Sequence, residues 1–123
     1  MDHILVVDDE QSVREVLKDA LEYFGYAVTV ACDGQEGLEY FNNGHRFKLV
    51  ITDIRMPIMD GVEFARSIRN SVKPDIPIIA ITAFFSDKYL ERDLFNSIIG
   101  KPFKLESLAK IIHQHLESSN VAP

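Results

Sequence analysis

Asp8, Asp9, Asp53 and Lys101 are the residues of this chain best suited to metal or phosphate chemistry, and each stands just past an apolar run. The two adjacent acids follow Ile4-Leu5-Val6-Val7, Asp53 follows Leu49-Val50-Ile51-Thr52, and Lys101 follows Ile98-Ile99-Gly100. If those runs are parallel strands of one sheet, their carboxyl ends meet at one edge, where open α/β sheets place their ligands. Carboxylates about 4 Å apart repel by ~4 kcal/mol per pair at an effective dielectric of ~20, so such a cluster calls for a cation. An oxygen-only donor set, without His or Cys, suits Mg²⁺, or Mn²⁺ as a second candidate, rather than zinc.

The elements that must position these residues are legible from apolar periodicity. Residues 3–7 read as a strand, and Val13, Val16, Leu17, Ala20, Leu21 and Phe24 then recur at helical spacing. Gly25 is placed to end that helix in the left-handed conformation, and a second strand is expected over 26–30. A helix over about 35–43, with Gly37, Leu38 and Phe41 inward, precedes a third strand at about 47–52. Asp60-Gly61 reads as a turn and helix start, with Val62, Phe64, Ala65 and Ile68 inward. Ile78-Ile79-Ala80-Ile81 is an unbroken apolar run, which fits a parallel strand covered on both faces.

The next unit is weaker: Ser86–Phe95 is expected to form a shortened or irregular helix, and 97–100 a very short strand. Leu105, Leu108, Ala109, Ile112 and Leu116 then mark a final helix, leaving Lys110, His113 and Glu117 on its wet side. Five βα units predict an α/β fold, a doubly wound five-stranded parallel sheet with helices on both faces, flavodoxin-like in the (βα)5 sense. One domain over 1–118 is expected, with 119–123 a tail or the start of a linker.

Composition narrows the functional classes. A hydrophobic fraction of 46% and a charged fraction of 26% describe an ordinary globule. Lys and Arg number 13 against 19 acids, a net charge of −6, so there is no basic footprint for direct nucleic-acid binding. Cys32 is the only cysteine and is expected as a small core residue; no intrachain disulfide is possible. No apolar run approaches the ~18 residues of a membrane span, and a cytoplasmic location with no membrane partner is expected. His3, His45, His113 and His115 form no metal-like pattern and are expected at surface or rim positions.

Taken together, these segments resemble the receiver domain of two-component response regulators, CheY-like, over essentially the whole chain. Val7-Asp8-Asp9-Glu10 resembles the family's acidic pair, and the segment from Asp53 through Arg55-Met56-Pro57 to Asp60-Gly61 resembles its phosphoacceptor loop. Ile81-Thr82-Ala83 and Lys101-Pro102-Phe103 resemble its two remaining signatures. The resemblance implies that Asp53 accepts a phosphoryl group from a histidine kinase or a phosphotransfer protein, in a phosphorelay that switches a downstream protein partner. It implies Mg²⁺ held by Asp9, Asp53 and the backbone carbonyl of Arg55, with Asp8 acting through water. It further implies phosphoryl contacts from Thr82 and Lys101, and a cis bond before Pro102.

Phosphoryl transfer itself asks mainly for positioning and charge neutralisation. The domain would thus be a switch that catalyses its own phosphorylation and dephosphorylation rather than an enzyme acting on other substrates. Two alternatives stand beside it: a receiver-like interaction module that is not phosphorylated, and a Mg²⁺-dependent aspartyl-phosphate phosphatase. The first is motivated by Ile98, which stands where most receivers carry an aromatic residue, and by the short interval from Thr82 to Lys101. Phe84 and Phe85, with Tyr89, Leu90, Leu94 and Phe95 close behind, are either core or a patch for a partner or a phosphorylation-dependent homodimer. The sequence fits a stand-alone regulator, a phosphate-shuttling intermediate or a receiver from a longer protein alike.

Overall fold

The structure, a computed structural model, describes residues 1–43, 46–83, 86 and 88–120, with side chains as far as Glu117. Strand β1 (His3–Val7) explains the layering. Side chains alternate along a strand, so Ile4 and Val6 face one side and Leu5 and Val7 the other, and none of the four is more than 1% exposed. Both faces of the sheet must therefore be covered.

Strands β2 (Ala27–Ala31), β3 (Phe47–Asp53), β4 (Ile78–Thr82) and β5 (Ser97–Gly100) complete one parallel sheet in the order β2-β1-β3-β4-β5. Val6 is in register with Val30 on one side and Ile51 on the other, which continues the alternation across the sheet. Helices α1 (Gln11–Tyr23) and α4 (Leu105–Asn120) bury Leu17, Leu21, Leu108, Ile112 and Leu116 against Ile4, Val6, Leu49 and Ile51. On the opposite face, α2 (Gly34–Asn42) and α3 (Gly61–Arg69) bury Phe41, Phe64, Ala65 and Ile68 against Leu5, Val7, Val50 and Ile78. Each such side chain contributes about 1.5–3 kcal/mol on full burial. The expected five-stranded architecture is the observed one.

Gly25 ends α1 as anticipated. At φ +97° its N–H donates to the Glu22 carbonyl (3.0 Å), and the next N–H, that of Tyr26, donates to Leu21 (3.1 Å). These two bonds satisfy carbonyls that the helix end would otherwise leave open. The apolar stripe of α1 is narrower than its periodicity implies: Leu17 and Leu21 are fully buried, whereas Val16 and Phe24 are exposed. Cys32 also departs from expectation. It is exposed, because strand alternation after buried Ala31 turns it outward, where its N–H meets the Glu36 carboxylate at 3.0 Å.

The connection from β4 to β5 forms no α-helix among the described residues, only 3₁₀ turns at Lys88–Leu90 and Arg92–Leu94. Leu90 and Phe95 still reach the core, so part of the expected apolar cluster is packing, while Tyr89 is exposed. Phe84, Phe85 and His45 lie outside the described residues. In place of helix packing, polar contacts fasten this connection to α3. The Arg69 guanidinium donates to the carbonyls of Leu94, Pro74 and Ile76 and to Asn96 Oδ1, at 2.7–3.1 Å. Arg66 pairs with Glu91. Among the described residues no helix is long and apolar enough to cross a membrane.

Candidate functional site

The carboxyl ends of β1, β3, β4 and β5 reach one edge, and the crevice lies where the sheet order reverses direction at β1 and β3. Asp8 and Asp9 follow β1, Asp53 ends β3, Thr82 ends β4 and Lys101 follows β5. Carboxylate oxygens of Asp8, Asp9 and Asp53 all lie within 4.8 Å of one another. The Lys101 ammonium sits 3.1 Å from Asp53 Oδ2 and 3.3 Å from Asp8 Oδ2. Asp8, Asp53 and Thr82 are buried, and Asp9 is exposed. The acids and the lysine identified from sequence are thus brought together, with Thr82 at the adjoining strand end.

Local bonds hold each group in place. Asp8 Oδ1 accepts from the Glu10 N–H (2.9 Å), the turn bond common for an aspartate two residues before its donor. Arg14 donates to the Asp8 carbonyl at 2.8 Å. Asp53 Oδ1 accepts from the Ile54 N–H at 2.7 Å, which leaves Oδ2 facing Lys101. The Lys101 N–H donates to the Thr82 carbonyl (2.8 Å), and the Lys101–Pro102 bond is cis, as the resemblance implied. The Gly61 N–H donates to Ile54 O at 2.8 Å, and a Cβ on Gly61 would stand 2.1 Å from the Asp53 carbonyl oxygen. Only glycine allows that approach.

The charges do not balance within the protein. Burial pushes the Asp53 carboxyl above its ordinary 3.8, with Asp8 adding to the rise, and the opposing pull of Lys101 and the Ile54 N–H does not cancel it. Burial alone would lower Lys101, but its bonds and charge interactions with Asp53 and Asp8 outweigh that and raise it above 10.5. One ammonium is satisfied twice over while the acids remain short of positive charge. The oxygen donors of Asp8, Asp9 and Asp53 therefore fit a hard divalent cation in both type and charge.

Two features of the neighbouring loop were not legible in apolar periodicity. Asp60 caps α3 through Oδ1, which accepts from the Glu63 N–H (2.9 Å), and its Oδ2 accepts from the Tyr89 hydroxyl (2.8 Å). The Arg55 guanidinium lies 5.8 Å from the centre of the Tyr89 ring. The two contacts of Tyr89 join loops far apart in sequence, so no local pattern announces them.

The model of the response regulator receiver domain family matches residues 4–113. The chain belongs to that family. This receiver domain is 36% identical over 124 residues to the probable transcriptional regulator ycf27 of Cyanidium caldarium, covering 96% of the chain and 49% of the relative. It spans about half the length of the curated relatives it matches. Among solved structures it resembles the response regulator TrrA of Thermotoga maritima in complex with Mg(2+)-BeF, with TM-score 0.82, 36% identity and coverage of 94% of this chain and 99% of that one. It also resembles the receiver domain of a sensor histidine kinase from Pseudomonas aeruginosa PAO1 with a magnesium ion coordinated in the active site cleft, with TM-score 0.86, 30% identity and coverage of 94% and 98%.

Receiver domains are phosphoacceptor modules of two-component signalling and bind Mg²⁺ at an acidic pocket, and the Asp8-Asp9-Asp53 cluster is a pocket of that kind. Neither the unphosphorylated interaction module nor the phosphatase is favoured by these findings.

Proposed function

We propose that Asp53 is the phosphoacceptor of a cytoplasmic phosphorelay, taking its phosphoryl group from a histidine kinase or a phosphotransfer protein and switching a surface read by a downstream protein. The observation that carries this reading is the meeting of Asp53 with Asp8, Asp9 and Lys101 at one edge of the sheet. An Asp53 carboxylate oxygen forms the new P–O bond as the donor's P–N bond breaks, and the donor imidazole takes up a proton. Asp9 and Asp53, with the Arg55 carbonyl, would hold Mg²⁺ directly, and Asp8 through water. When bound, the ion offsets the negative charge spread over the transferring group.

Lys101, now facing two carboxylates, is within reach of a phosphoryl oxygen on Asp53, and the Thr82 hydroxyl supplies a second donor to it. The same groups then position water for hydrolysis, so both phosphorylation and its reversal are the domain's own chemistry. The proposed unit covers 1–118, with 119–123 as tail or linker. Its net charge of −6 favours a protein target over nucleic acid. The phosphorylated form also associates with a second copy of itself.

The test is incubation with a small phosphodonor and Mg²⁺. An acid-stable, base-labile adduct on Asp53, lost in Asp53→Asn, is the expected result. No adduct supports the bare interaction module instead, and many turnovers of an organic phosphate support the phosphatase.

Mg²⁺ binding is expected to be pH-dependent with a definite sign. Because the folded pKa of Asp53 is raised, the metal-free fold is favoured by its protonation at low pH, and that stabilisation is lost as pH rises through the raised value. A metal ligand must be deprotonated, so Mg²⁺ affinity rises over the same window. Mg²⁺ at about one hundred times its Kd stabilises by ~2.7 kcal/mol. The Mg²⁺-induced increase in Tm is thus larger near neutral pH than near the carboxylate range, and an increase independent of pH counts against direct ligation by Asp53.

A further inference from the structure

The segment between Asp53 and Gly61 must keep its shape without regular structure, and part of it is strained. Ile58 sits at φ +71° although it is β-branched and 79% exposed, a combination that persists only when the surroundings enforce it. Inside the loop, Met59 N–H donates to Pro57 O at 2.8 Å, and Gly34 N–H reaches Met59 O at 3.0 Å from α2. From the opposite side comes Tyr89, on the connection that begins just after Thr82. Its hydroxyl donates to Asp60 Oδ2 at 2.8 Å, and its ring lies near the Arg55 guanidinium.

Tyr89 is 48% exposed, so core packing does not account for its position. Polar contacts do, and a bond to a carboxylate is of the stronger kind. Tyr89 therefore touches the loop at two places: at Arg55, whose carbonyl is a proposed Mg²⁺ ligand, and at Asp60, where the loop hands over to α3. Arg55, Met56, Pro57, Asp60 and Tyr89 line one groove.

We propose that Tyr89 is a positioning residue for Mg²⁺ binding, holding the Asp53–Gly61 segment through Asp60 and Arg55 in the shape that presents the Arg55 carbonyl to the ion. The inference rests on the Mg²⁺ reading above. It places the determinant of metal affinity on the β4–β5 connection, in a side chain that itself ligates nothing.

Tyr89→Phe removes one hydroxyl and keeps the ring. Isothermal titration of the folded chain with Mg²⁺ is expected to give a Kd roughly three- to tenfold weaker, the range for losing one hydrogen bond, with the urea midpoint of the metal-free protein unchanged. Without metal, amide exchange at Met59 and Gly61 becomes faster. Asp60→Ser keeps a competent helix cap but withdraws the group that meets the Tyr89 hydroxyl, and is expected to weaken Mg²⁺ similarly, with the double variant no weaker than either single one. Arg66→Gln, which releases Glu91 from the middle of α3, leaves the Kd unchanged. Wild-type protein that binds Mg²⁺ alongside a Tyr89→Phe variant of equal affinity overturns the role of Tyr89 alone. Equal weakening by Arg66→Gln reduces it to general tethering and overturns it too. Wild-type protein that binds no Mg²⁺ overturns the proposed function, and this inference with it.

Discussion

Lys101→Met is expected to lower the stability of the metal-free receiver domain by about 2–3 kcal/mol while making it more dependent on Mg²⁺. Removing one partner of a fully buried ion pair typically costs about 3–5 kcal/mol, because the other charge is left uncompensated. The Lys101 side chain is 20% exposed, which moderates the loss, and Asp53 escapes part of it by taking up a proton. The raised pKa of Lys101 means that its stabilising contribution is complete below 10.5 and fades only as pH rises through the raised value, so at neutral pH all of it is at stake. Mg²⁺ then has no ammonium to compete with and binds more tightly. Urea unfolding with chelator and with saturating Mg²⁺ measures both effects. A variant with the wild-type midpoint in chelator would show that the lysine is a solvated charge with no hold on the acids.

Gly61→Ala is the substitution expected to damage fold and site together. Its Cβ would lie 2.1 Å from the Asp53 carbonyl oxygen and 2.9 Å from Ile54 Cα. Both obstacles are backbone, so no side chain can swing aside. The start of α3 must move off the end of β3, which breaks the Gly61–Ile54 bond and shifts Asp53. Overpacking of this kind costs about 3 kcal/mol or more, and Mg²⁺ affinity is expected to fall with it. Gly25→Ala provides the contrast: nothing lies within 4 Å of its added Cβ, and only the left-handed φ is penalised, by about 1 kcal/mol. Its Mg²⁺ affinity stays that of wild type. Equal effects of the two substitutions on the metal would remove the claim that Gly61 serves the site.

The acidic edge was legible because strand ends concentrate chemistry where apolar runs stop, and runs such as Ile78–Ile81 leave little doubt about burial. Gly61 was legible only as a turn and helix start. Its real constraint is the approach of α3 to the Asp53 carbonyl, which depends on how two elements pack. Val16 was misjudged for a similar reason: periodicity says which residues share a face, but not how wide a strip the neighbours cover; Cys32 was placed in the core by residue type alone, and alternation after Ala31 turns it outward. The β4–β5 connection was foreseen as irregular from its length. What replaces the helix, the Arg69 guanidinium on three backbone carbonyls and Asn96, carries no sequence signal, since an arginine near a helix end is ordinarily solvated.

The two margins of the sheet have a consequence for assembly. β2 and β5 occupy the outer positions, and they are five and four residues long. Outer strands are templates for strand addition, and brevity is one of the ways proteins blunt them. So little main chain on offer disfavours zipping along the backbone and leaves contacts with other molecules to helix and loop side chains.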